Sequence, residues 1–162
     1  MRYENGANTM DYHFTLEIIN EDNMTTTELG NLGELKVIEK CLQNGISVFQ
    51  PFGDGNRIDL ILVVNGKCLR AQVKTSMVEQ EGRMIFKTSS TKRDGSLQRY
   101  TKDDIDIFLL YSPIYDEVYC IRVEEVFKTE IYFRRDEPKK WSATMHLTKD
   151  YPFEKVFEYS KL

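Results

Sequence analysis

Apolar and polar positions along this chain change period several times, and each change predicts an element. DYHFTLEII, residues 11–19, alternates with Tyr12, Phe14, Leu16 and Ile18 on one side, the period of a half-buried strand. It fits an edge strand or an arm reaching a partner subunit. Polar residues 20–27 follow, with three threonines suited to cap a helix. A helix is expected over Glu28 to Gln43, stopped by Asn44-Gly45. The middle of the chain is β-rich: ISVFQPF (46–52), the two arms around Asn65-Gly66, GRMIFKTS (82–89), DIDIFLLY (104–111) and EVYCIRV (117–123) all read as strands, and the polar stretch 90–103 as a loop. Beyond Glu124 the pattern predicts a short helix near 123–128, a strand at IYFRR and a last short helix near 153–160.

Asn-Gly between two apolar runs is the signature of a type I′ hairpin, and it sets the register. Facing residues then have numbers that sum to 131. Val64 faces Lys67, Leu62 faces Leu69, Leu60 faces Ala71 and Ile58 faces Val73, making one apolar face. The other face pairs Ile61 with Arg70, Asp59 with Gln72 and Arg57 with Lys74. An acid, an amide and an amine are therefore expected as neighbours. On a single hairpin, a wet sheet face is the better explanation of them, and only the helix shifts the balance.

The helix adds a fourth group. With Glu34 at the origin and ~100° per residue, Ile38 falls near ~40°, Leu42 near ~80°, Leu35 near ~100°, Cys41 near ~340° and Val37 near ~300°. Lys36, Glu39, Lys40 and Gln43 form the polar face. Glu34 is thus expected in the middle of the apolar arc, where an unpaired carboxylate needs a proton, a cation or hydrogen bonds. Capping of the helix start is the plainer role for it. Two carboxylates converging in a half-buried place make a hard-oxygen set suited to Mg²⁺. An amine beside them suits the charge of a phosphate.

Composition narrows the classes. The 162 residues, 41% hydrophobic and 30% charged, fit one globular domain. No apolar run reaches the ~18 residues of a membrane span. The N-terminus lacks a hydrophobic signal region, and Cys41, Cys68 and Cys120 are widely spaced. Both fit a reducing, intracellular place such as the cytoplasm, the nucleoid or an organelle. The net charge of −4 is unevenly spread: residues 65–102 hold nine Lys and Arg against three acids, a local +6 on a body of −10. Such a segment suits phosphates, although a solvated face accounts for it as readily.

Glu34 in GNLGE, Asp59 in GDGNRIDLIL, and QVK (Gln72, Val73, Lys74) ending the next strand resemble the PD-(D/E)XK nuclease superfamily. The resemblance is to the branch of group I intron homing endonucleases whose last motif reads QxK, and YTKDDIDIFLLYSP followed by VYCI fits that branch too. It covers residues 28–123. It implies a restriction-endonuclease-like α/β core with a mixed central sheet flanked by helices, the nuclease core at 28–123 between an N-terminal extension or edge strand (1–27) and C-terminal elements (124–162) in a single domain.

The implied activity is metal-dependent, site-specific hydrolysis of double-stranded DNA by a dimer or tetramer. Glu34 and Asp59 are then the metal-site acids, Gln72 stands in the second acid position, Lys74 is the catalytic lysine, and Val73 offers a backbone carbonyl. Mg²⁺ is the expected ion, with Mn²⁺ as substitute. Gln72 removes a negative charge, so a second ion is expected to bind weakly. Arg57, Arg70, Lys87, Lys92, Arg93, Arg99 and Lys102 are the expected DNA contacts. Arg134, Arg135, Lys139 and Lys140 form a second patch that fits solvated surface as well. Asp103, Asp104 and Asp106 are expected to support rather than react, Asp106 as a partner for Tyr100 or Arg99. Other readings stay open: a structure-selective nuclease such as a Holliday junction resolvase, a catalytically inactive nuclease fold kept for DNA binding, or a protein-interaction domain.

Overall fold

The computed structural model describes residues 24–53, 55–140, 142 and 144–161. The expected strand at 11–19 lies outside them.

Helix α1 spans Thr26–Gln43. Thr25 caps it: its side chain accepts from the Glu28 N–H, and the Glu28 carboxylate accepts in return from the Thr25 N–H. Asn44 closes the other end, donating its N–H to Cys41 and Leu42. Five strands form the central sheet: β1 Ser47–Phe49, β2 Leu60–Val64, β3 Lys67–Thr75, β8 Ile107–Ser112 and β9 Glu117–Arg122, in spatial order β1-β2-β3-β8-β9. Only β3 and β8 run parallel, so the sheet is mixed.

The hairpin forms in the expected register, Val64 on Lys67, Leu62 on Leu69 and Leu60 on Ala71. Asn65 and Gly66 both have positive φ, 53° and 77°, as a type I′ turn demands. The ladder ends at Leu60, earlier than expected. Continued pairing would bring Ile58 opposite Val73, but the Asp59 carboxylate takes the Val73 N–H instead, at 2.8 Å. Ile58 instead packs against the apolar cluster on the other side of the sheet, the one that contains Phe86 and Phe108.

Both faces of the sheet are covered. One buries Leu60, Leu62, Ala71, Val73, Leu109 and Cys120 against Val37 and Cys41 of α1 and Val156 of the short helix α2, Lys155–Tyr159. The mixed central sheet flanked by helices is as expected, and its opposite face carries a further layer. There a second sheet packs, ordered β11-β10-β5-β4 from β4 Glu79–Gln80, β5 Arg83–Lys87, β10 Glu130–Arg134 and β11 Met145–Leu147. Met84, Phe86, Ile131 and Phe133 from that sheet meet Phe108, Leu110 and Ile121. This explains why every residue of β8 is buried. The 123–128 helix is a 3₁₀ turn at Val123–Glu125. The expected loop at 90–103 contains a separate two-stranded ribbon, β6 Ser89–Thr91 with β7 Leu97–Arg99. Among the described residues no helix is long and apolar enough to cross a membrane.

Helix α1 touches the end of β3 at one very close point. A Cβ on Gly33 would lie 1.7 Å from Thr75 Oγ1 and 3.0 Å from its Cβ. Gly33→Ala is therefore expected to lower stability by about 1–3 kcal/mol. Thr75→Ala in the same chain should recover part of that loss. Urea unfolding of the three variants checks this, and a Gly33→Ala protein as stable as the parent would contradict it.

Candidate active site

The fork where β2 and β3 part is the place to which the structure brings the expected residues. Asp59 sits just before β2. Its Oδ2 accepts from the Val73 N–H and from the Gln72 amide nitrogen. The same Gln72 nitrogen reaches the Val73 carbonyl at 3.4 Å. Strand alternation sends Gln72 and Lys74 to the same side, in register with Phe108 and Leu110 of β8. From the other side, the close approach of Gly33 to Thr75 carries Glu34 to this end of β3.

The helix wheel had Glu34 in the centre of the apolar arc, and this is corrected. The buried stripe runs through Gly33, Val37 and Cys41, whereas Leu35 and Leu42 are each 64% exposed. Glu34 therefore stands at the margin of the stripe, half-buried, with an outlet toward the fork.

Electrostatics ties the groups together. Burial raises Glu34 above its usual range; the Asp59 charge adds to that, and Lys74 opposes it. Burial likewise raises Asp59, against the Val73 N–H, Lys74 and Gln72, which favour its ionised form. Burial lowers Lys74, and Arg57 pushes the same way, while Asp59 and Glu34 support its charge. Two acids and one amine thus share a desolvated space in which each feels the others.

Behind the amine stands Tyr100, expected only as a candidate partner of Asp106. It is 6% exposed. The Arg57 guanidinium lies 4.1 Å from its ring centre and the Lys74 ammonium 5.4 Å. Arg57 is also paired with Asp104 at 2.9 Å and donates to Ser90 Oγ at 3.2 Å and to the Arg99 carbonyl at 2.8 Å. Arg70 donates to both Asp106 carboxylate oxygens and to the carbonyls of Lys102 and Asp103. Asp106 therefore supports, as expected, but through Arg70 and its backbone N–H rather than through Tyr100 or Arg99. Burial would raise the Asp106 carboxyl, and the Arg70 bonds hold it below its usual range. Lys87, Lys92, Arg93, Arg99 and Lys102 are exposed. Arg134 and Arg135 lie away from the fork, Arg134 on the Glu81 carbonyl and Arg135 beside Glu117.

The donor set fits a small divalent cation. Gln72 Oε1 is buried with no hydrogen-bond donor among the described residues. Together with the two carboxylates and the Val73 carbonyl it makes an all-oxygen group of the kind Mg²⁺ or Mn²⁺ takes. Among the described residues no three His, Cys, Asp or Glu cluster.

Comparison with known proteins follows the same lines. The family described as PD-(D/E)XK endonuclease matches residues 24–154, a longer span than the motifs at 28–123 had marked. Among solved structures, the bacterial homing endonuclease I-Ssp6803I is similar at a TM-score of 0.70 and 22% identity, over 83% of this chain and 95% of that one. At that identity the likeness speaks for the fold. No curated protein matches significantly.

In metal-free protein the Glu34 charge is a liability. Its pKa lies above the ordinary 4.5 when folded. The cost of the ionised form is present at neutral pH and disappears as pH falls through the raised folded value. Glu34→Gln is accordingly expected to raise the urea midpoint at pH 7 in EDTA, with the gain shrinking toward pH 4. An equal gain at both pH values would refute it.

Proposed function

The chain belongs to the PD-(D/E)XK endonuclease family, and from that premise we propose a divalent-metal-dependent, site-specific DNA endonuclease of the homing type. The observation that carries this reading is the fork: Glu34, Asp59 and Lys74 are desolvated together, beside the orphaned Gln72 oxygen.

Glu34, Asp59, Gln72 Oε1 and the Val73 carbonyl hold the ion, Mg²⁺ in the cell with Mn²⁺ as a substitute. When bound, the ion supplies Lewis acidity to the scissile phosphate and to an attacking water. The protein's own groups do the rest. Asp59 is fixed by two hydrogen bonds, so its second oxygen is aimed without a search. Lys74 brings positive charge to the reacting phosphate. Tyr100 and the β8 residues behind it keep bulk water from the rear of the site. Lys87, Lys92, Arg99 and Lys102 face duplex phosphates and Arg93 also meets the duplex, while Arg57 and Arg70 act from behind by bracing the 99–103 segment.

Purified protein with Mg²⁺ or Mn²⁺ is expected to cut duplex DNA, and EDTA to abolish the cutting. Asp59→Asn and Lys74→Ala should each reduce the rate by at least about 10²-fold with the fold intact by circular dichroism. Undiminished cleavage in both variants would remove the site. Preference for four-way junctions over linear duplex would point instead to a structure-selective nuclease, and sequence-specific retention without cutting in either ion to an inactive binder.

A chain this small reads a long site by assembling as a dimer or tetramer. Support for assembly comes from Leu35 and Leu42 on the outer flank of α1 and from Phe49 on edge strand β1, with Phe52 just beyond, all largely exposed. Sedimentation should give a dimer or tetramer, shifted toward monomer by Phe49→Glu. A monomeric parent protein would refute this.

A further inference from the structure

The β6–β7 ribbon is poorly explained by folding alone. It belongs to neither larger sheet, and none of residues 89–99 is buried. Of its eleven residues, nine carry hydrogen-bonding side chains, Gly95 and Leu97 being the exceptions. Its cohesion comes from backbone pairing, from the Lys92 and Gly95 N–H bonds that close the tip, and from Asp94, which accepts from Ser96. Most of its side chains are therefore not needed to hold it together.

Its root is anchored to the active site. One guanidinium, that of Arg57, bonds a side chain on β6 (Ser90) and a carbonyl on β7 (Arg99), and Arg57 stands two residues before Asp59. Register and alternation place Ser90 and Gln98 opposite each other on the side that meets Arg57, with Thr91, Leu97 and Arg99 on the other. Lys92 and Arg93 are at the tip.

Resting on the endonuclease reading above, we propose that this ribbon enters the major groove of duplex DNA beside the cut site. Gln98 and Arg93 read base edges there, and Lys92 contacts the phosphates. The dimensions agree. A two-stranded ribbon is admitted by a groove about 12 Å wide and about 8.5 Å deep. From Ser89 to the tip the ribbon extends about 15 Å, enough to reach the groove floor with its root at the backbone. The chemistry agrees too. A Gln amide matches the N6/N7 edge of adenine and an Arg fork the O6/N7 edge of guanine, whereas a Lys ammonium suits phosphate. The acid at the tip, Asp94, is folded back onto Ser96, and the two cations beside it, Lys92 and Arg93, leave the tip net positive.

The test is a binding selection on a randomised duplex library, in EDTA so that retention is read without cleavage, followed by Mg²⁺ cleavage of the selected duplexes. Gln98→Ala and Arg93→Ala are each expected to lose about 10-fold discrimination at one or two base pairs, at different positions, while preferences elsewhere are kept. Lys92→Ala should weaken retention about equally for every sequence and reduce its salt dependence by about one released counterion. Melting temperatures matching the parent exclude misfolding. An unchanged profile in both Gln98→Ala and Arg93→Ala, or parent retention without any sequence preference, overturns the proposal. A preference that depends on these residues, without cleavage in Mg²⁺, upholds the ribbon and sinks the nuclease.

Discussion

One carboxylate decides how this molecule is put together at its working end. By accepting the Val73 N–H, Asp59 ends the β2–β3 ladder and satisfies the backbone donor that the ending would otherwise orphan. The two strands can then diverge without leaving an unpaired group in the interior. The same oxygen receives the Gln72 amide, which sets the orientation of that side chain and turns Oε1 away with no donor. Fork, acid and amide are thus a single arrangement. A carboxylate held this way is fixed by the strands themselves rather than by a loop, as precise positioning of a reacting group requires.

Around the fork, charge is arranged in two rows. The front row is desolvated and unbalanced: two carboxyls raised, one amine lowered. The rear row is paired: Arg57 with Asp104, Arg70 with Asp106. Paired ions of this kind add little net stability when they are partly exposed. Their effect here is geometric, because both arginines also bond carbonyls of the 99–103 segment and so clamp it to β2 and β3. Tyr100, within that segment, has both the Arg57 guanidinium and the Lys74 ammonium against its ring.

Much of this was legible in the chain, for identifiable reasons. Asn65-Gly66 dictates a turn type, the turn dictates a register, and the register puts Asp59 beside Gln72. Thr25, Glu28 and Asn44 announce the helix limits by the hydrogen bonds they make. The failures have equally local causes. The wheel weighted Leu35 and Leu42 as core, but the small Gly33 lets α1 sit so close to β3 that the contact stripe rotates toward Val37. Residues 90–99 lack the apolar alternation by which strands are recognised, because the ribbon they form buries none of its side chains in either core. Of the second sheet, β5 and β10 were visible as strands, but the layer was not; nothing in a single sequence says that these two, far apart along it, pair with each other. Asp106 carried no mark of its partner for the same reason, since Arg70 is brought to it only by the parallel pairing of β3 with β8.

An amide where the wider superfamily carries an acid follows from the same fork. A carboxylate at position 72 would stand against Asp59 Oδ2, which the Gln72 nitrogen now contacts. Two like charges at that separation cannot both ionise in a desolvated place without a cation or a shared proton. Glu34 already adds to the load on Asp59's surroundings, and Lys74 is the nearby ammonium that offsets both acids. With glutamine, the bond to Asp59 is attractive in the absence of metal, and the fork holds its shape before any ion arrives. A second ion, on the proposed reading, is held more weakly, because one of the oxygens in the set is neutral. On the proposed reading the chain therefore keeps a preformed site for one cation, at the expense of the charge that would gather two.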